Sequence, residues 1–132
     1  MPSITIDYRK IDGTRAAIGR AGNHVVVADR PDGAAGGMGL GFNGGQLLAL
    51  ALGGCFCNDI QYTAEEMNEI VSDLEVSVTL ELTGDPLIAT SAAMRVRCVL
   101  TSGGDPGPVL ERAAARSTVA NSLRAGFDVT VL

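Results

Sequence analysis

The sequence predicts an α+β fold in a single domain spanning residues 1–132, on three observations. Short strand-like runs cluster at the N-terminus, an apolar helical run follows them, and two long alternating segments come next before a second helix. Strands and helices are thus grouped rather than alternating, which argues against a parallel wound sheet. A length of 132 residues suits one domain with a real core.

The first runs are Ser3 to Tyr8, Arg15 to Ile18 and His24 to Ala28, separated by Asp12-Gly13 and Ala21-Gly22-Asn23. They predict an antiparallel meander with tight turns, closed off by the glycine-rich stretch Pro31 to Gly41. That stretch lacks the Gly-Lys-Ser/Thr ending of a phosphate-binding loop and the spacing of a dinucleotide fingerprint, so it reads as a connector. Asp29-Arg30 beside it reads either as a surface ion pair of small worth or as the border of a site.

Asn43 is a suitable N-cap for a helix expected from about Gly45 to Asn68, roughly 35 Å long. Its first half, through Cys57, is apolar on every side; from Asp59 onward Gln61, Glu65, Glu66 and Glu69 turn one face polar. A thiol at Cys55 would sit at this junction, partly shielded and reachable. Leu74 to Leu82 and Ala93 to Leu100 alternate cleanly as strands, with Gly84-Asp85-Pro86 between them. Val109, Ala113, Arg116, Ala120 and Leu123 then mark a second helix from about Pro108 to Ala125. Gly126 is its C-cap, and Phe127 to Val131 is expected to close the fold as a strand.

Composition narrows the function classes. A net charge of −5, with Lys and Arg spread singly, argues against a nucleic-acid partner. No segment has the roughly 18 consecutive apolar residues of a membrane span, and Met1 to Lys10 lacks a signal-peptide core, so a cytoplasmic protein is expected. The three cysteines, 55, 57 and 98, form no disulfide framework. No metal site is expected, because His24 is the only histidine and Cys55 and Cys57 point to nearly opposite sides of one helix.

Asn43, Leu47, Leu48 and Cys55 on the first helix, with Val119 and Leu123 on the second, resemble the OsmC/Ohr family across nearly the whole chain. Asp29-Arg30-Pro31 and Gly36-Gly37 look like its YhfA-like branch. The resemblance implies an intertwined homodimer, with antiparallel sheets wrapped around two helices including a long central one. It also implies a thiol peroxidase acting on small organic hydroperoxides without any cofactor. In the family a first cysteine attacks the peroxide and becomes a sulfenic acid, a second forms a disulfide with it, and an outside thiol reductant restores both. An arginine held by a glutamate keeps the first thiol ionised.

Carried onto this chain, Cys55 takes the first cysteine's position, whereas Ser117 stands at the second and Gly45 at the glutamate. Arg15, Arg20 and Arg30 are candidates for the arginine, and Gln46, Leu48, Leu52 and Phe56 are candidates for substrate contact. Two readings follow. One is a one-cysteine peroxidase that uses an external thiol, in which Ser117 retains a polar contact to Cys55. The other is a catalytically degenerate dimer that binds a small apolar ligand or serves assembly. Cys55 itself reads either as a low-pKa nucleophile or as a small packed residue. Cys57 reads as packing or as a replacement resolving thiol, and Cys98 as inert core.

Overall fold

The computed structural model describes residues 1–132, which divide into two compact units, Met1–Leu47 and Leu48–Leu132. In the first unit, β1 (Asp7–Lys10), β2 (Ala17–Ala21) and β3 (His24–Ala28) form a three-stranded antiparallel sheet in chain order. The β2–β3 hairpin closes through Gly22-Asn23, between the paired Ala21 and His24. Gly22 has φ +59, the positive first position of a type II′ turn, whose twist matches that of its strands. β1 starts later than the alternation suggested, at Asp7, and Ile4 is exposed.

The loop after β3 is organised by a carboxylate. Asp29 Oδ2 accepts hydrogen bonds from the backbone N–H of Met38 at 3.1 Å and of Leu40 at 3.0 Å, while Oδ1 accepts from the Arg30 N–H at 2.8 Å. The Arg30 guanidinium adds a contact at 3.0 Å. The surface-pair reading of Asp29-Arg30 is therefore corrected, because the Asp29 side chain is buried. These donors, the Leu40 N–H foremost, hold its carboxyl below the usual range. Gly37 makes the tight loop possible, since a Cβ there would fall 2.6 Å from the Arg30 carbonyl oxygen.

Helix α1 runs from Gly44 to Glu66 and opens on a reciprocal cap. The Gln46 N–H donates to Asn43 Oδ1 at 2.9 Å, and the Asn43 N–H donates to Gln46 Oε1 at 3.0 Å. Two otherwise orphaned backbone donors are thereby satisfied, and the start of the helix is fixed.

The second unit is built on a long antiparallel hairpin, β4 (Val71–Thr83) with β5 (Ile88–Leu100). Both strands are longer than the alternation marked. The register Leu74↔Cys98, Val76↔Val96 and Val78↔Met94 gathers the apolar positions on one face, as a period of two requires. That face receives Phe56, Ile60 and Ala64 of α1, which recur every fourth residue, and Val109 and Ala113 complete the core. Gly53 lets α1 come close, because a Cβ there would already lie 3.0 Å from Val78 Cγ2. Only one stripe of the apolar half of α1 is buried. Leu50, Ala51 and Gly54 are exposed, so the expectation of all-round burial fails for want of an element on the outer side.

Two further expectations are corrected in the C-terminal part. The second helix is in fact two, α2 (Gly107–Arg116) and α3 (Thr118–Ala125), interrupted at Ser117, whose φ −65 and ψ 114 are extended. The apolar period survives a single non-helical residue, which is why the sequence reads as continuous. Asn121 Nδ2 donates to the Ala115 carbonyl at 3.0 Å, pairing a group left over at the end of α2. Phe127 to Val131 alternate as expected yet form no strand. Phe127, Val129 and Val131 are exposed, and a strand needs a neighbour that this segment lacks within the chain.

Candidate functional site

Cys55 lies at the middle of α1, half-buried and unpaired with any other cysteine. The break at Ser117 brings a hydroxyl to it: Ser117 is 1 % exposed, and its O–H donates to Cys55 Sγ at 3.6 Å. Ser117 occupies the N-cap position of α3 without capping it, its hydroxyl being turned to the sulfur instead. The thiol in turn donates to Asp59 Oδ2 at 3.5 Å. Asp59 follows Cys55 by one helical turn and so shares its face. The polar run Ser117–Cys55–Asp59 is directional, from hydroxyl to sulfur to carboxylate.

Asp59 was not singled out by the sequence, although the spacing of four residues is the signal that finds it. Its charge is also felt by Arg116, the residue next to Ser117. Arg116 is anchored elsewhere, at 2.7 Å from Glu66 Oε2, a pairing that lowers the Glu66 carboxyl and raises the guanidinium. Glu69 accepts from Ser102 Oγ at 2.9 Å. Glu66 and Glu69, at and just beyond the end of α1, are thus paired with the surrounding chain on a face that stays open to solvent.

The other cysteines differ. Cys57 is half-buried and makes no side-chain hydrogen bond, and Cys98 lies in the core, where burial pushes its thiol up. No group of three His, Cys, Asp or Glu side chains is placed to hold a metal ion.

Three of the residues expected to touch substrate, Leu48, Leu52 and Phe56, line one cavity of about 720 Å³. Their spacing of four puts them on one stripe of α1, opposite Met94 and Val96 of β5 and Ala120 and Leu123 of α3. Thr90, Ser91, Glu111 and Arg124 add the polar groups of a mainly apolar wall. Gln46 is held in the helix cap. The three arginines all lie in the first unit. Arg20 is exposed on β2, Arg15 crosses Gly36, and Arg30 donates to the Arg15 carbonyl as well as to Asp29.

The sequence profile of OsmC-like proteins matches residues 36–132. The chain belongs to the OsmC-like family. Solved structures agree on the fold. An OsmC-like protein of Mycoplasma pneumoniae superposes with a TM-score of 0.76 at 14% identity, covering 93% of this chain and 88% of that one.

 A protein of Psychrobacter arcticus has a TM-score of 0.74 at 20% identity, covering 92% of this chain and 89% of that one. An organic hydroperoxide resistance protein OsmC of Legionella pneumophila has a TM-score of 0.64 at 17% identity, covering 97% of this chain and 93% of that one. No functionally curated protein matches the chain significantly.

At these identities the structures show the OsmC-like fold, α+β with antiparallel sheets, and no more. No helix of this OsmC-like chain is long and apolar enough to cross a membrane.

Proposed function

We propose that this OsmC-like protein is a one-cysteine thiol peroxidase. In this reading Cys55 Sγ attacks an organic hydroperoxide, and an external thiol reduces the resulting sulfenic acid. The observation that carries it is the half-buried Cys55 thiol, held between Ser117 and Asp59 on the helix that lines the apolar cavity. Leu48, Leu52 and Phe56 would hold the organic part of the peroxide there. No metal or cofactor takes part, the thiol itself supplying both electrons.

The reading includes a homodimer in the cytoplasm. Support for a second copy comes from the apolar groups this chain leaves uncovered, Leu50 on α1 and the alternating Phe127, Val129 and Val131.

The decisive experiment treats the purified protein with cumene hydroperoxide and traps sulfenic acid for mass spectrometry. An adduct on Cys55, lost in Cys55→Ser, is the expected result; a fully reduced Cys55 would overturn the proposal. The second reading, a non-enzymatic dimer binding an apolar ligand in the cavity, is favoured by one contact: the charged group at Sγ is a carboxylate. It predicts no peroxide consumption with any reductant.

A further inference from the structure

We propose that Asp59 is the proton acceptor and donor for Cys55, a role that rests on the peroxidase reading above. The geometry is the directional run already described, Ser117 O–H to Sγ at 3.6 Å and S–H to Asp59 Oδ2 at 3.5 Å. A carboxylate opposes a free thiolate beside it. The thiol proton therefore moves to Asp59 as the sulfur reacts, rather than in advance.

The step balances without a further reactant. Sγ attacks the terminal oxygen of the hydroperoxide; the S–O bond forms as the O–O bond breaks, and the thiol proton passes to Oδ2. Asp59 then returns that proton to the departing alkoxide, giving Cys55 sulfenic acid and an alcohol. Sulfur is oxidised by two electrons, and the peroxide is reduced by two. Ser117 keeps its hydroxyl on the sulfur throughout and stabilises the negative charge that develops there. The charged groups around the pair are Arg116, whose charge acts on Asp59 from the α2–α3 junction, and Glu66, which binds Arg116.

The test compares wild type with Asp59→Asn, measuring sulfenic acid formation on Cys55 with cumene hydroperoxide from pH 5.5 to about 9, a span bracketing the free thiol range. Wild type should react at a nearly constant rate between about pH 6 and 8. Asp59→Asn should be slower by roughly tenfold or more at the low end and should climb about tenfold per pH unit toward the ordinary thiol range. An Asp59→Asn rate equal to or above wild type at low pH would overturn the role, since a merely repulsive carboxylate gives that sign. Asp59→Ser serves as the second variant if Asp59→Asn does not fold, protection of Cys98 from alkylation being the check. Iodoacetamide labelling of Cys55 separates the two proposals. If wild type forms no sulfenic acid the peroxidase reading fails, while slower labelling of Asp59→Asn still supports the proton acceptor and unchanged labelling removes it.

Discussion

Cys55 and Cys98 belong to the same unit, yet their surroundings oppose each other. Cys55 is half-buried and has a polar partner on either side of its sulfur. Cys98 shares a buried apolar cluster with Phe56, Ile60 and Leu100, with burial alone acting on its thiol. Cysteine content says nothing of this difference, which arises from where the helix face and the strand face point. A thiol on an inward strand position meets the core, whereas a thiol one step off the buried stripe of α1 meets the junction between α2 and α3.

The largest expected effect is on access. Iodoacetamide under native conditions should label Cys55 at least about 10²-fold faster than Cys98, because the core thiol must wait for an opening of the fold. Peptide-resolved mass spectrometry reads both sites in one sample, and comparable rates would break the contrast. Next comes stability. Cys98→Ser places a hydroxyl among apolar groups and should cost about 1–3 kcal/mol in urea unfolding, whereas Cys55→Ser, with Ser117 and Asp59 as ready partners, should cost well under that. Equal losses would mean that the polar contacts of Cys55 are not kept in solution.

Buried ionisable groups sharpen the same point through pH. Asp29 is buried with three backbone N–H donors and its carboxyl is lowered, while Cys98 is buried without donors and its thiol is raised. The signs then differ. For Asp29 the unfolded chain takes up the proton first, so its contribution is present above the ordinary carboxylate range and is lost as pH falls below about 4. For Cys98 the unfolded thiol ionises first, so its contribution is present at neutral pH and is lost as pH rises past about 8.5. Urea midpoints of wild type and Cys98→Ala across pH 7 to about 10 check the alkaline limb, which the variant should lack.

Local periodicity made α1, its Asn43 cap and the β4–β5 hairpin legible, because each is fixed by residues close in sequence. The stripe of Leu48, Leu52 and Phe56 follows from the same spacing of four. What stayed hidden depends on distant groups. Asp29 is buried by donors nine and eleven residues away, Met38 and Leu40. The break at Ser117 leaves the apolar period intact, and Phe127 to Val131 carry strand alternation with nothing to pair against. Asp59 reads in sequence as the first residue of a solvated face, although its place one turn after Cys55 puts it at the sulfur.

The smallest effects concern the glycines just before the thiol, and they return to the two sides of α1. Gly54 is exposed with no atom within 4 Å of an added Cβ, whereas at Gly53 the Val78 side chain already stands at 3.0 Å. Replacing a mid-helix glycine by alanine gains about 0.5–1 kcal/mol of helix propensity. Gly54→Ala should therefore raise the urea midpoint, and Gly53→Ala should lose that gain to the displacement of Val78, leaving stability unchanged or lowered by up to about 1 kcal/mol. The sign at Gly54 also bears on the proposed dimer. If a second copy packs on this outer face, the added methyl meets it, and Gly54→Ala destabilises in a manner that depends on protein concentration. A concentration-independent gain would instead leave that side of the helix facing water.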